Sequence, residues 1–170
     1  MNIRKFYFRL LSFYQIIGGF LGIILIVWAL ISLSQVQTKG NMFILIGAAF
    51  LPIVLYIFSV LCGIVLLKNM NKGINLSLIN QLLQVVNISI YGFGFKYISG
   101  FYITGGIDLI NGDILLAWGY SSCEILIHSH SEICEVHINL ISIIILFLII
   151  YFTQRPSISI GHNELDMNKY

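Results

Sequence analysis

Charge is what this 170-residue chain has least of: only 9% of its residues are Asp, Glu, Lys or Arg. Ordinary soluble domains carry about 25% charged residues. Hydrophobic residues make up 58% of the chain, so too few charges remain to solvate a water-exposed surface. The same composition excludes a disordered chain, which needs low hydrophobicity. A net charge of +2 without a basic patch also excludes a nucleic-acid-binding protein. The composition is that of a membrane protein.

Catalytic motifs are missing as well. No serine stands in a G-x-S-x-G elbow, and no glycine-rich loop could hold a phosphate group. Asp108 and Asp113 flank an Asn-Gly pair, which is typical of turn residues and not of a catalytic pair of acids. We therefore predict that the protein is not an enzyme and that it uses no cofactor.

Four apolar segments are long enough to cross a bilayer, for which about 20 residues must cover about 30 Å of hydrocarbon. They cover about residues 10–33, 42–67, 74–95 and 136–152. We expect one domain over residues 1–170, an all-α integral membrane bundle of four transmembrane helices with a tail at 153–170. A cleaved signal peptide is the alternative for the first segment, but its apolar stretch exceeds the usual 7–15 residues.

The basic residues indicate the orientation of the four helices. With the N-terminus inside, the inner side holds Arg4, Lys5, Arg9, Lys68, Lys72, Arg155 and Lys169. The outer side holds Lys39 and Lys96. Because Lys and Arg are enriched in cytoplasmic loops, both termini are predicted to be cytoplasmic. A bacterial inner membrane is the default location.

Residues 96–135 differ from the rest of the chain because apolar and polar positions alternate there, which indicates half-buried strands. Three strands are predicted, at about 101–109, 114–127 and 133–138, forming a small extracytoplasmic β cap. Asn111-Gly112 between the first two is a strong hairpin signal, and a second turn is expected near His128. The alternative is an irregular amphipathic loop on the membrane surface.

Polar residues recur along the third apolar segment at steps of three and four, which places them on one helical face. They are Ser77, Asn80, Gln81, Gln84, Asn87 and Tyr91. Lipid cannot satisfy amides, so this stripe must face the bundle interior or a wet cavity. It indicates either hydrogen bonding between helices or a site for a small solute. No ionisable residue lies at mid-membrane, which counts against an ion-coupled carrier.

Small residues predict where helices pack closely. Gly18 and Gly22 form a G-x-x-x-G pair, and Ser59 with Gly63 repeats the spacing in the second segment.

Two of the three cysteines, Cys123 and Cys134, would lie opposite each other if the second hairpin turned at His128, which makes them a candidate disulfide. The layout resembles that of four-helix membrane thiol oxidases, but these need a CxxC in the first outer loop, and residues 34–41 hold no cysteine.

The densest set of potential metal ligands includes His128, His130, Glu132 and His137. It lacks a standard ligand spacing, so we interpret these residues as the polar side chains of a solvated loop and predict no metal.

Three functions remain. The leading one is a non-enzymatic accessory or structural subunit that assembles with itself or with a larger membrane complex. The alternative is a small-solute transporter or channel that uses the polar stripe. The third is a metal or thiol-redox protein of the outer loop.

Overall fold

The computed structural model describes residues 3–36, 42–126 and 133–154, which form four helices and four strands. In chain order these are α1 (Ile3–Val36), α2 (Met42–Lys68), α3 (Met70–Val85), β1 (Val86–Ile90), β2 (Phe93–Asp108), β3 (Ile114–Leu126), β4 (Cys134–Asn139) and α4 (Leu140–Gln154). Within these residues, two helices, α1 and α2, are long and apolar enough to cross a membrane.

The prediction of an all-α bundle with four transmembrane helices is wrong. With 16 and 15 residues, α3 and α4 extend only about 24 and 22 Å, short of the about 30 Å of a bilayer core. The strands also start about fifteen residues earlier than predicted, at Val86 instead of about residue 101, because α3 ends at Val85 and β1 follows at once. The sequence Val86-Asn-Ile-Ser-Ile alternates β-branched and polar residues, a strand pattern inside a segment that is apolar enough to resemble a helix.

A tight turn then joins β1 to β2. Tyr91 and Gly92 occupy this turn with φ values of +43° and +86°. Tyr91 is 68% exposed, so it does not belong to the stripe on α3 to which the sequence assigned it.

The four strands form one antiparallel sheet in the order β1-β4-β2-β3. One edge of β2 pairs with β3, and its other edge pairs with β1 at 93–95 and with β4 at 104–108. Since β1 also pairs with β4, these three strands close into a ring. A bulge between Ile98 and Phe101, with Gly100 at φ +102°, bends β2 so that the same edge can pair with β1 and with β4.

The hairpin predicted at Asn111-Gly112 is confirmed. Ile107 pairs with Ile114, and Gly112 has a φ of +75°. The Asp108 carboxylate accepts hydrogen bonds from the Ile110 amide at 2.8 Å and the Asn111 side-chain amide at 2.7 Å. These bonds hold the pKa of Asp108 below its ordinary value, and the bond from Ile110 has the largest effect.

The second predicted hairpin is wrong, because β3 pairs with β2 while β4 pairs with β1 and β2. The expected turn at His128 lies outside the described residues.

The long helices pack against different elements along their length. Near the start of α1, Phe8 and Leu11 form an apolar core with Leu66, Ile74 and Ile149 from α2, α3 and α4. Further along α1, the sheet replaces α3 and α4. There the Tyr14 hydroxyl donates to the Phe101 carbonyl at 2.8 Å, and the Ser121 hydroxyl donates to the Gly18 carbonyl at 2.9 Å.

The distribution of polarity is inverted relative to a soluble protein. Among the described residues, thirteen polar side chains are buried against twelve apolar ones. Large apolar side chains such as Trp28, Phe50 and Phe147 are instead 66–70% exposed. Soluble proteins bury such residues and expose polar ones, so this surface matches an apolar solvent.

Candidate functional site

The α3 stripe supplies a buried hydrogen-bond network between three helices and the sheet. The Asn80 amide donates to the Ser59 hydroxyl of α2 at 3.2 Å, and the Tyr97 hydroxyl of β2 donates to the Asn80 amide oxygen at 3.1 Å. The hydroxyls of Ser59 and Ser99 lie 2.9 Å apart. These bonds join α2, α3 and β2, and in a membrane each contributes about 0.6 kcal/mol on average.

Two further stripe residues extend the network. The Ser77 hydroxyl donates to the Gln15 side-chain oxygen of α1 at 3.1 Å. The Gln84 side-chain oxygen accepts the backbone N–H of Ser99 at 2.9 Å, which supplies a partner where the β2 bulge begins. Half of the predicted stripe therefore connects elements to one another.

The remaining amides of the stripe are not explained by this network. Both side-chain polar atoms of Gln81 and Asn87, and the nitrogen of Gln84, are buried without a hydrogen-bond partner among the described residues. An unpaired buried polar group costs about 1–3 kcal/mol. Gln81 and Gln84 lie in the last turns of α3 and Asn87 lies at the start of β1, so the unpaired amides are grouped around the junction of helix and strand.

Asn87 also lines a cleft in the sheet. It is only 3% exposed, and the cleft has a volume of about 80 Å³. The residues around it come from all four strands: Asn87, Ile88, Ser89, Gly94, Phe95, Lys96, Glu124, Glu135 and His137. Directly opposite residues of paired strands share one face, and the register pairs Asn87 with His137.

The cleft brings together groups of both charges. The His137 Nε2 lies 3.0 Å from a Glu135 carboxylate oxygen, while the His137 Nδ1 is buried without a partner in the described part of the chain. Lys96 and Glu124 are opposite each other in register, yet the Lys96 ammonium lies 5.4 Å from the centre of the Tyr102 ring. With donors, acceptors and both charges, the cleft is suited to a small polar molecule.

Sequence reasoning identified Asn87 and His137 but did not bring them together. The available signal was the alternation of Asn87 with Ser89 and of Glu135 with His137 at period two, which marks two polar strand faces. The described residues contain no group of three or more His, Cys, Asp or Glu placed to hold a metal ion. His128, His130 and Glu132 lie outside them.

The two loop cysteines do not meet as the sequence predicted. Cys123 lies opposite Tyr97, and Cys134 lies opposite Ile90, so different strands separate them and both thiols are free. Burial, aided by the Glu124 carboxylate, raises the pKa of Cys123 to about 11. Its thiol therefore stays protonated and weakly nucleophilic at neutral pH.

We expect all three cysteines to be alkylated when the protein is denatured without reductant and analysed by mass spectrometry. In the folded protein at pH 8, Cys123 should react slowly and accelerate as the pH rises towards 11, because only the thiolate is nucleophilic. A peptide pair joined through Cys123 and Cys134 would contradict the register described above.

The small residues predicted for helix packing lie at close contacts of several kinds. A Cβ added at Gly18 would lie 2.5 Å from the Gly100 nitrogen of β2, and one at Gly63 would lie 2.6 Å from the Ser12 carbonyl oxygen of α1. Gly22 faces the Tyr56 ring of α2. The G-x-x-x-G pair is therefore divided, since Gly18 meets the sheet and Gly22 meets α2.

Comparison of the chain with protein-family models, with curated proteins and with solved structures finds no match. What bears on function is therefore the molecule itself: the apolar side chains that it exposes, its buried amides and the cleft in the sheet.

Proposed function

We propose that this chain is an integral membrane protein without catalytic activity, serving as an accessory or structural subunit of a homo-oligomer or of a larger membrane complex. The observation that carries the proposal is an apolar face on the β2–β3 hairpin. From Ile114 to Tyr120, every second residue of β3 lies on this face, and all four of these side chains are exposed: Ile114 by 80%, Leu116 by 78%, Trp118 by 75% and Tyr120 by 64%. Ile103 and Ile107 of β2 lie on the same face. We call these six residues the hairpin face.

The position of β3 favours a protein as the cover for this face. β3 is the last strand in the sheet order, and exposed apolar edge strands are prone to pair with other chains. Lipid tails could cover the side chains, but they cannot satisfy the polar groups of an open strand edge. A second copy of the chain or a partner protein can cover the apolar side chains and also form hydrogen bonds with the strand edge.

The surface of the helices supports the membrane location. α1 exposes apolar side chains from Ile3 to Ile31 and α2 exposes them from Phe50 to Leu67. Lys5, Arg9 and Lys68 are grouped at one end of the helices. The described acids all lie in the sheet and its hairpin: Asp108, Asp113, Glu124 and Glu135. Since basic residues are enriched on the cytoplasmic side, we propose that the N-terminus faces the cytoplasm of a bacterium and that the sheet lies towards the opposite side of the inner membrane.

The proposal is tested by isolating the protein at its native expression level in lipid nanodiscs and measuring the mass of the intact particle. We expect an oligomer or a complex of fixed stoichiometry, which Leu116→Asn combined with Trp118→Asn should dissociate. The matched control is Tyr91→Asn, which changes an equally exposed aromatic residue outside the hairpin face and suits its positive φ. A wild-type protein that is a monomer with no associated chain would refute the subunit role.

A second candidate function, the binding or passage of a small polar solute, is favoured by Asn87. Its amide lies at the cleft without a partner in the described chain, and the Gln84 nitrogen and both polar atoms of Gln81 are also buried without partners there. Such a group of unpaired donors and acceptors fits a solute that replaces its hydration shell with amide groups.

A further inference from the structure

A second cleft, at the other end of α3 from the sheet, is both basic and apolar. Lys5 and Arg9 of α1 and Lys68 of α2 line it. It has a volume of about 290 Å³, and its apolar lining consists of Phe8, Leu66, Leu67 and Met70. We propose that this basic cleft binds the phosphate group of an anionic phospholipid, an inference that rests on the membrane location proposed above.

Within the described ranges, the three cations have no compensating charge. None of them forms an ion pair with another described residue. Lys5 and Arg9 are four residues apart on one helix, where like charges destabilise. No acid lines the cleft, and the four acids in the described ranges, Asp108, Asp113, Glu124 and Glu135, all belong to the sheet and its hairpin. A bound anion would relieve this repulsion.

The apolar surroundings distinguish a lipid from a free anion. Phe8 and Leu66 form a buried floor, while Phe6, Leu10 and Leu67 are exposed beside the cations. A phospholipid has the matching arrangement, because its phosphate joins directly to acyl chains that would lie along these side chains. Inorganic phosphate would use only the cations. Basic clefts at the cytoplasmic ends of membrane helices are suited to anionic headgroups.

The full-length protein is to be placed in phosphatidylcholine nanodiscs containing phosphatidylglycerol, and the lipids that remain bound after partial delipidation are then identified by native mass spectrometry. We expect phosphatidylglycerol to be retained preferentially. Lys5→Gln, Arg9→Gln and Lys68→Gln should each lower that preference by about fivefold. The matched controls are Lys72→Gln, an exposed lysine of α3 outside the cleft lining, and Lys96→Gln in the sheet, and both should keep the preference.

The outcomes that overturn the inference differ from those that overturn the membrane location. A protein that enters nanodiscs but shows no preference, or whose triple glutamine variant keeps it, has no lipid site in this cleft. Displacement of phosphatidylglycerol by millimolar inorganic phosphate would assign the cleft to a free anion instead. Failure of the wild-type protein to enter nanodiscs at all would refute the membrane location itself.

Discussion

Replacing Gly18 by alanine is expected to destabilise the folded protein by about 2 kcal/mol or more, near the upper end of the 1–3 kcal/mol typical of overpacking. The new methyl group would lie 2.5 Å from the Gly100 nitrogen and 2.8 Å from its Cα. Both are backbone atoms of the β2 bulge, so no flexible side chain can move aside. Gly100 itself has a φ of +102°, which restricts how that segment can adjust.

A hydrogen-bonded link between α1 and the sheet would be lost in the same variant. The Ser121 hydroxyl donates to the Gly18 carbonyl at 2.9 Å and accepts the Gly100 N–H at 3.0 Å. Moving α1 away from the sheet by even part of an ångström lengthens the bond from Ser121 to Gly18, whereas the bond between Gly100 and Ser121 lies within the sheet. The effect of Gly18→Ala therefore includes lost hydrogen bonding as well as steric overlap.

Gly47→Ala is the matched control, since Gly47 is also a helical glycine but has nothing within 4 Å of an added Cβ. Alanine there should leave stability unchanged or raise it by up to about 1 kcal/mol through helix propensity. The measurement is the free energy of unfolding of each variant in the same detergent, followed by circular dichroism. Equal stabilities of the two variants would mean that α1 and β2 do not approach each other at Gly18.

The sequence predicted best those elements that depend on local pattern. The second helix, expected at 42–67, is α2 at Met42–Lys68, because an uninterrupted apolar run needs no partner to be recognised. The β2–β3 hairpin was predictable for the same reason, since Asn111-Gly112 determines the turn locally. Segments whose conformation depends on distant partners were predicted poorly.

The third apolar segment shows why. Hydropathy counts the valine and isoleucines of β1 as it counts those of a helix, so the change from helix to strand at Val86 does not alter the apolar signal. What stabilises β1 as a strand is its pairing with β4, which lies about fifty residues later in the chain. The same pairing places Cys134 opposite Ile90 instead of Cys123, and it places His137 beside Asn87 in the cleft. None of these registers is encoded near the residues concerned.

Two glutamines of α3, three residues apart, are expected to respond in opposite directions to the same substitution. Gln84→Met should destabilise the protein by about 1–3 kcal/mol, because it leaves the Ser99 N–H buried without its acceptor. Gln81→Met should leave stability unchanged or increase it by up to about 1–3 kcal/mol. The Gln81 amide is fully buried with no described partner, so an apolar side chain of similar length removes only an unpaired polar group.

Measuring the unfolding free energy of these variants together with solute flux into proteoliposomes also distinguishes the two functions proposed for this chain. If the stripe only holds elements together, the Gln81→Met protein should be at least as stable as the wild type and assemble normally. If the unpaired amides serve a solute, Gln81→Met and Asn87→Leu should abolish flux while the fold stays intact, because stability is then being sacrificed at a functional site. A destabilised Gln81→Met protein would show instead that its amide has a partner in the folded state, and the interpretation of Gln81 as an unpaired group would be wrong.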